Sequence, residues 1–333
     1  MAAEPAPPRR AEHLVRAATR PFAQESVARS WAHVATTLSL MLGVLALAVL
    51  PAWWPLRVPA SVLGGLLMIR SFILYHDHLH GALLPNSRVA HALFWTYGVT
   101  ALTPPRSWRR SHNHHHAHVG LLAESSVGSF PLMTTHEWRS AGPGARAAYR
   151  IARHPLTIVF GYATIFVVNV TLLPLLREPR RHWDSAVSLV VHGALLATLW
   201  WALGFAAVVL GVLLPVAVAT AFGGYLFHAQ HHFRDLHVLP ADEWTHDAAA
   251  LASSSYLRMG PLMHWLTGNI GYHHVHHLNS RIPFYRLPEA MAAIPELRHP
   301  RETTLRLRDI RECFRLALWD PARGSLVTLR EAA

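Results

Sequence analysis

Residues 156–176, "LTIVFGYATIFVVNVTLLPLL", are apolar and long enough to cross a bilayer, yet Gly161, Asn169 and Pro174 interrupt them. Whether they cross decides on which side of a membrane the rest of the chain lies. A helix needs about 20 apolar residues to span the hydrocarbon. Four other stretches meet that need: 31–52, 57–75, 186–203 and 205–227. "LPAWWPLRVP" reads as a tight, aromatic-rimmed hairpin between the first two, whereas 89–103 is too short to span. Cytoplasmic segments gather basic residues near helix ends. Arg146, Arg150 and Arg153 precede 156–176, and Arg177, Arg180 and Arg181 follow it. Both ends therefore read as cytoplasmic, and the stretch reads as a re-entrant or interfacial segment. Non-helical backbone at that depth is tolerated only where protein buries it or it lines a water-filled cavity. Four spans in two hairpins then put the N-terminus, 76–185 and 228–333 on one face. A fifth span at 156–176 would separate 228–333 from 76–118.

Composition agrees with a membrane protein. Of 333 residues 52% are hydrophobic and 15% charged, against about a quarter charged in soluble domains. The net charge is +11 and the chain has no lysine, which points to a GC-rich genome. Such a charge suits nucleic acid or anionic lipid; the apolar stretches favour lipid and exclude nucleic acid. Cys313 stands alone, so there is no internal disulfide or cysteine-based metal site. Residues 1–30 begin Pro- and Arg-rich without an apolar core and read as a cytoplasmic tail, not a cleaved signal. No internal repeat or flexible linker divides 31–333, which reads as a single membrane domain with 76–185 and 228–333 as its cytoplasmic cap.

Most of the 26 histidines fall in four clusters: "HDHLH" (76–80), "HNHHHAH" (112–118), "HAQHHFRDLH" (228–237) and "HHVHH" (273–277). The first and third begin where apolar spans end. Residues at i, i+3 and i+4 share a helix face. That spacing groups His76 with His80, His112 with His115 and His116, and His273 with His276 and His277; His78, His114 and His118 lie off the face. A lone His192 inside a span reads as a packing or hydrogen-bonding residue. One such pattern arises by chance in a His-rich chain, but three on one face point to metal. Eight imidazoles exceed what one tetrahedral zinc uses, so two ions share them with open positions. Nitrogen donors suit Zn, Cu, Fe and Ni, and an open pair beside lipid suggests O2 activation by iron. Two Glu-x-x-His pairs, Glu243–His246 and Glu296–His299, superficially match soluble di-iron carboxylate proteins. Pro240, Pro295 and Pro300 crowd them, and they leave the dense clusters unexplained, so that reading is rejected.

"SSSYLRMGPLMHWLTGNIGYHHVHHLNSRIPFYRL" and "PRSWRRSHNHHHAHVG", with Trp108 before the second box, resemble the membrane fatty-acid desaturases, in particular their acyl-lipid branch. The resemblance runs from about residue 57 to 320 and includes "LALWD". It implies an all-α integral membrane protein whose cytoplasmic cap carries a di-iron site. It implies two Fe ions held by His76, His80, His112, His115, His116, His273, His276 and His277. A Gln–His pair after the last span, here Gln230–His231, adds His231 as a ninth ligand; His228 and His232 are its neighbours, and Arg234 stands where an acidic residue often follows. The implied reaction uses O2 as co-substrate and two electrons to place a cis double bond in a lipid acyl chain. The implied partners are an acyl lipid and an external ferredoxin or cytochrome b5-type donor, since the chain carries no haem or iron–sulfur motif. Arg106, Arg109 and Arg110 suit an acidic donor or anionic headgroups. Asp77, Asn113, Asp235, Asp247 and Asn269 are candidates to orient the imidazoles. The implied location is the bacterial inner membrane, with the site on its cytoplasmic side. The alternatives are a hydroxylase or acetylenase on acyl or terpenoid substrates and, from another class, a His-rich metal transporter. Transporter ligands belong near mid-membrane on broken helices, not past helix ends.

Overall fold

The computed structural model describes residues 11–50, 53–122 and 128–332; the start of the tail and the hairpin tip at 51–52 lie outside them. The chain is mostly helical, and four helices are long and apolar enough to cross a membrane: Val27–Val49, Trp54–Leu79, Trp183–Leu203 and Phe205–His231. Each is longer than its apolar stretch in the sequence, because polar residues prolong the helices at one end or both. Ser26 caps the first by accepting from the Arg29 N–H, and Pro55 sits in the first turn of the second, where its missing N–H costs nothing. The second is the inner helix: 61% of its apolar stretch is buried, against 22%, 11% and 33% for the others in chain order. Its 26 residues make a rod of about 39 Å, longer than the roughly 30 Å hydrocarbon core. It is therefore longer than needed to cross a bilayer of that thickness, and its C-terminal end carries His76 and, at the cap, His80.

Prolines shape the irregular helices. Pro215 would clash with the carbonyl four residues earlier, and the fourth apolar helix opens into a wider turn at Val209–Leu213 immediately before it. The stretch read as re-entrant is helical in pieces: Pro155–Val159, a wide-turned Tyr162–Leu172, then Leu173–Arg177. The Ser107 hydroxyl donates at 3.0 Å to the Val170 carbonyl, four residues before Pro174, which has no N–H to offer it. Tyr162–Arg177 is at most about 24 Å long, too short to span. Gly204, at φ +82°, turns the third apolar helix directly into the fourth.

The all-α expectation needs correction, because two small sheets stand among the helices. Met133–Thr134 pairs in parallel with Leu316–Asp320, which pairs antiparallel with Ser325–Thr328. Tyr256–Arg258 pairs in parallel with Glu302–Thr304. Residues 11–30 pack on the rest of the chain: Glu12–Ala18 is helical, Thr19 accepts from Asn279 at 2.8 Å, and Glu25 accepts from the Leu84 N–H at 2.6 Å. One large core joins the apolar helices to the C-terminal segments, with Ile73, Leu74 and Leu226 packed with Val275, Leu278 and Phe284.

The second and fourth apolar helices meet at Gly65, where an added Cβ would lie 2.6 Å from the Pro215 carbonyl oxygen and 2.8 Å from Val218 Cβ. Gly65→Ala is expected to cost about 1–3 kcal/mol through overpacking and to lower Tm in detergent. Gly43→Ala, with nothing within 4 Å, should hold or raise Tm through helix propensity. Equal Tm values for the two variants would refute the close contact.

Candidate metal centre

Four segments deliver imidazoles to one place. The end of the second apolar helix carries His76 and His80. The helix Pro105–Ala117, opened by Pro105 at its first position, carries His112, His115 and His116. His231 closes the fourth apolar helix, and the short helix His273–Leu278 carries His273, His276 and His277. That last helix is aimed by the turn before it. Gly268 and Asn269 both adopt φ +54°, a left-handed conformation open to Gly and Asn. A Cβ on Gly268 would strike Ile73, and one on Gly271 the Leu257 carbonyl. Gln230 ties the fourth helix to this turn by donating to the Ile270 carbonyl at 2.8 Å.

Ring nitrogens of His76, His80, His112, His116 and His276 lie within 4.8 Å of one another, and so do those of His115, His231 and His277. In the first group Nε2 atoms follow in series: His80 to His112 at 3.0 Å, His112 to His116 at 3.0 Å and His116 to His276 at 3.2 Å. At the second, His231 Nε2 is 3.1 Å from His115 and 2.9 Å from a ninth imidazole, His273, which is itself 3.1 Å from His277. All nine are buried except the partly buried His80.

Two neutral Nε2 atoms share at most one proton, so these series cannot satisfy every nitrogen. A cation between them can. With metal–nitrogen bonds of about 2.1 Å, right-angle ligands have nitrogens about 3.0 Å apart and tetrahedral ones about 3.4 Å apart. The observed spacings of neighbouring nitrogens are short enough for a shared cation, so the residues fit a metal site. Burial, then repulsion from neighbouring imidazoles, holds His112, His115, His116, His273, His276 and His277 well below the ordinary histidine value of 6.5. They are thus neutral, as metal ligands must be.

Two rings are oriented from behind. His76 Nδ1 donates to Asp77 Oδ1 at 3.0 Å, while Asp77 Oδ2 accepts from the Phe284 N–H at 2.7 Å. His231 Nδ1 donates to the Ser253 carbonyl at 3.2 Å. Either bond leaves a lone pair on Nε2, facing the group. Trp108 stacks on His112 with ring centroids 4.2 Å apart. Among the described residues, the buried Nδ1 atoms of His273, His276 and His277 have no hydrogen-bond partner.

The remaining sequence candidates go elsewhere. His78 turns to the Leu83 carbonyl, and His118 stacks on His114. His228 faces the Cys313 carbonyl and Phe314, and His232 faces the His228 carbonyl. Of the five second-layer candidates, Asp77 alone bonds to one of the nine histidines; Asn269 donates to the Phe284 carbonyl and Asp247 pairs with His246. Neither Glu-x-x-His pair joins a donor group among the described residues. Sequence reasoning missed Ser253 and the tie from Asp77 to Phe284, since both use backbone atoms that carry no residue signature.

The family model "Fatty acid desaturase" matches residues 51–308. The chain is 30% identical to a fatty acid desaturase of Bacillus subtilis over 314 residues, covering 93% of this chain and 88% of that protein. It is 24% identical to an sn-1 oleoyl-lipid 12-desaturase of a Picosynechococcus species, with 80% and 77% covered. A Delta(12)-acyl-lipid-desaturase of Punica granatum is 25% identical, with 79% and 70% covered. The chain therefore belongs to the fatty acid desaturase family, a family of oxidoreductases.

Proposed function

We propose that the two imidazole groups hold two iron ions and that the chain is an O2-dependent acyl-lipid desaturase. The single observation carrying this reading is the convergence of nine imidazoles, from four separate segments, into two adjoining donor groups. The overall change is –CH2–CH2– + O2 + 2 e⁻ + 2 H⁺ → –CH=CH– + 2 H2O. When bound, iron supplies the redox chemistry that zinc, with one oxidation state, cannot. His76, His80, His112, His116 and His276 are the ligands of one ion, and His115, His231, His273 and His277 those of the other. Asp77 and Ser253 fix ring orientation, and burial excludes bulk water. The acyl-lipid names of two relatives support a glycerolipid acyl chain as substrate. Electrons come from a ferredoxin or cytochrome b5-type donor.

The ends of the second and fourth apolar helices meet at the histidines, which supports two hairpins with 76–185 and 228–332 on one face. The arginines flanking 156–176 support the cytoplasmic side of a bacterial inner membrane for that face. Ligands at helix ends, not mid-membrane, speak against a metal transporter.

Gas chromatography of lipids from an expressing host should reveal new cis double bonds, and metal analysis of the purified protein about two iron per chain. His276→Ala should abolish the double bonds with normal expression. Hydroxylated acyl chains without new double bonds would replace the desaturase with a hydroxylase.

Asp77→Asn leaves one acceptor oxygen for two donors, His76 Nδ1 and the Phe284 N–H, and should weaken iron retention by about 10–100-fold against a chelator, with the apo-protein still folded. Wild-type retention would refute the orienting role.

Acid should weaken the ion-free fold. The buried histidines stay neutral below 6.5, whereas the unfolded chain takes up protons there, so stability is full above that value and falls as pH drops through it. Apo-protein Tm should hold from about pH 8 to 7 and decline from about 6.5 downward. A Tm independent of pH between about 7 and 5 would contradict the neutral cluster.

A further inference from the structure

Beside the helix Pro143–Ala152 lies an open surface groove of about 340 Å³, containing none of the nine histidines. Its apolar walls are Ile151, Leu156 and Phe160, which are 67%, 53% and 61% exposed. Thr157 and Thr164 also line it, but their hydroxyls donate to the Ile151 and Thr157 carbonyls, so they offer no free proton. Two groups remain as polar heads, Arg150 and His154.

Both are arranged to face outward. His154 Nδ1 accepts from the Leu156 N–H at 3.2 Å, which puts the ring proton on Nε2 as a donor to whatever enters. The Arg150 guanidinium rests 5.0 Å over the Trp138 ring, and no carboxylate pairs with it among the described residues. The other arginines of this region are spent on the fold. Arg146 donates to the Trp138 and Arg139 carbonyls, and buried Arg153 to the Pro131 and Leu316 carbonyls. The groove also sits at a seam: His154 precedes the apolar pieces 155–177, and Ile158, one residue from the wall, packs on Tyr225 and Ala229 of the fourth apolar helix. A cation and an N–H donor at the rim of an apolar trough, where a helix enters the lipid, complement an anionic amphiphile.

We propose that this groove binds an anionic glycerophospholipid of the surrounding membrane, its phosphate on Arg150 and His154 and an acyl chain along Leu156 and Phe160. The site rests on the membrane reading of the apolar helices and is independent of iron and of the reaction.

The test is thermal unfolding of the full-length protein in neutral detergent, titrated with phosphatidylglycerol or phosphatidylcholine of matched chains. Phosphatidylglycerol should raise Tm saturably, at a midpoint roughly tenfold or more below that of phosphatidylcholine. Arg150→Gln with His154→Gln should raise the phosphatidylglycerol midpoint by roughly tenfold, and Arg150→Lys should largely preserve it. Should the double variant unfold early without lipid, His154→Gln alone decides, with a smaller shift in the same direction. Equal response to both lipids, an unchanged midpoint in the variants, or the same stabilisation by inorganic phosphate alone would overturn the proposal. Chelator-treated protein should retain the phosphatidylglycerol effect; its loss would also overturn the site, whereas a failure of the iron reading leaves this titration unchanged.

Discussion

The structure turns on largely buried imidazole nitrogens that face one another about 3 Å apart. Facing lone pairs repel, and no carboxylate stands among the donors. Such an arrangement is unfavourable until a cation occupies it, so metal binding and the final packing of four segments are linked free energies. The second and fourth apolar helices continue past their apolar stretches into turns that carry His76, His80 and His231, and the contact at Gly65 keeps the two rods adjacent.

How much of this could be read beforehand depends on how local the determining signal is. His76 with His80, and His112 with His115 and His116, lie one helical turn apart, so helix geometry alone puts each set on one face. His78, His114 and His118 fall off that face for the same reason. Helix geometry does not distinguish His228, His231 and His232, which begin one compact cluster. Packing separates them: Phe130 and Phe314 flank His228, while His231 turns to His115 and His273. The two sheets were illegible because their strands are two to five residues long and, apart from the local pair Leu316–Asp320 with Ser325–Thr328, pair across the chain; Met133 meets Leu318 and Tyr256 meets Glu302. "LALWD" stands out as a motif, but nothing in five residues announces its second partner, Met133–Thr134, so far away in sequence.

Buried Arg70 shows how a charge is accommodated without an ion pair. Its guanidinium donates to Thr37 Oγ1 at 3.0 Å and to the Trp265 carbonyl, and lies over the Trp265 and Phe284 rings at 4.4 and 5.3 Å. Guanidinium is weakly hydrated and stacks on aromatic faces, which lowers the cost of holding it there. In return it fastens two stretches that flank the histidine helix, one before it and one after.

The same stretch after the histidine helix explains why residues outside the matched region still belong to the site. Asn279 donates to Thr19, Tyr285 Oη accepts from the Ser26 N–H at 3.0 Å, and Arg286 donates to the Pro21 and Gln24 carbonyls. Between those anchors the Phe284 N–H donates to Asp77, and Asp77 holds His76. The N-terminal segment is thus joined to an imidazole through the Asn279, Tyr285 and Arg286 side chains, the Phe284 N–H and one buried carboxylate. Ring orientation at the centre is set in part by residues 19–26, which bear no metal-binding pattern. A sequence motif records the ligands, but the rigidity that aims them comes from backbone atoms contributed by distant parts of the chain.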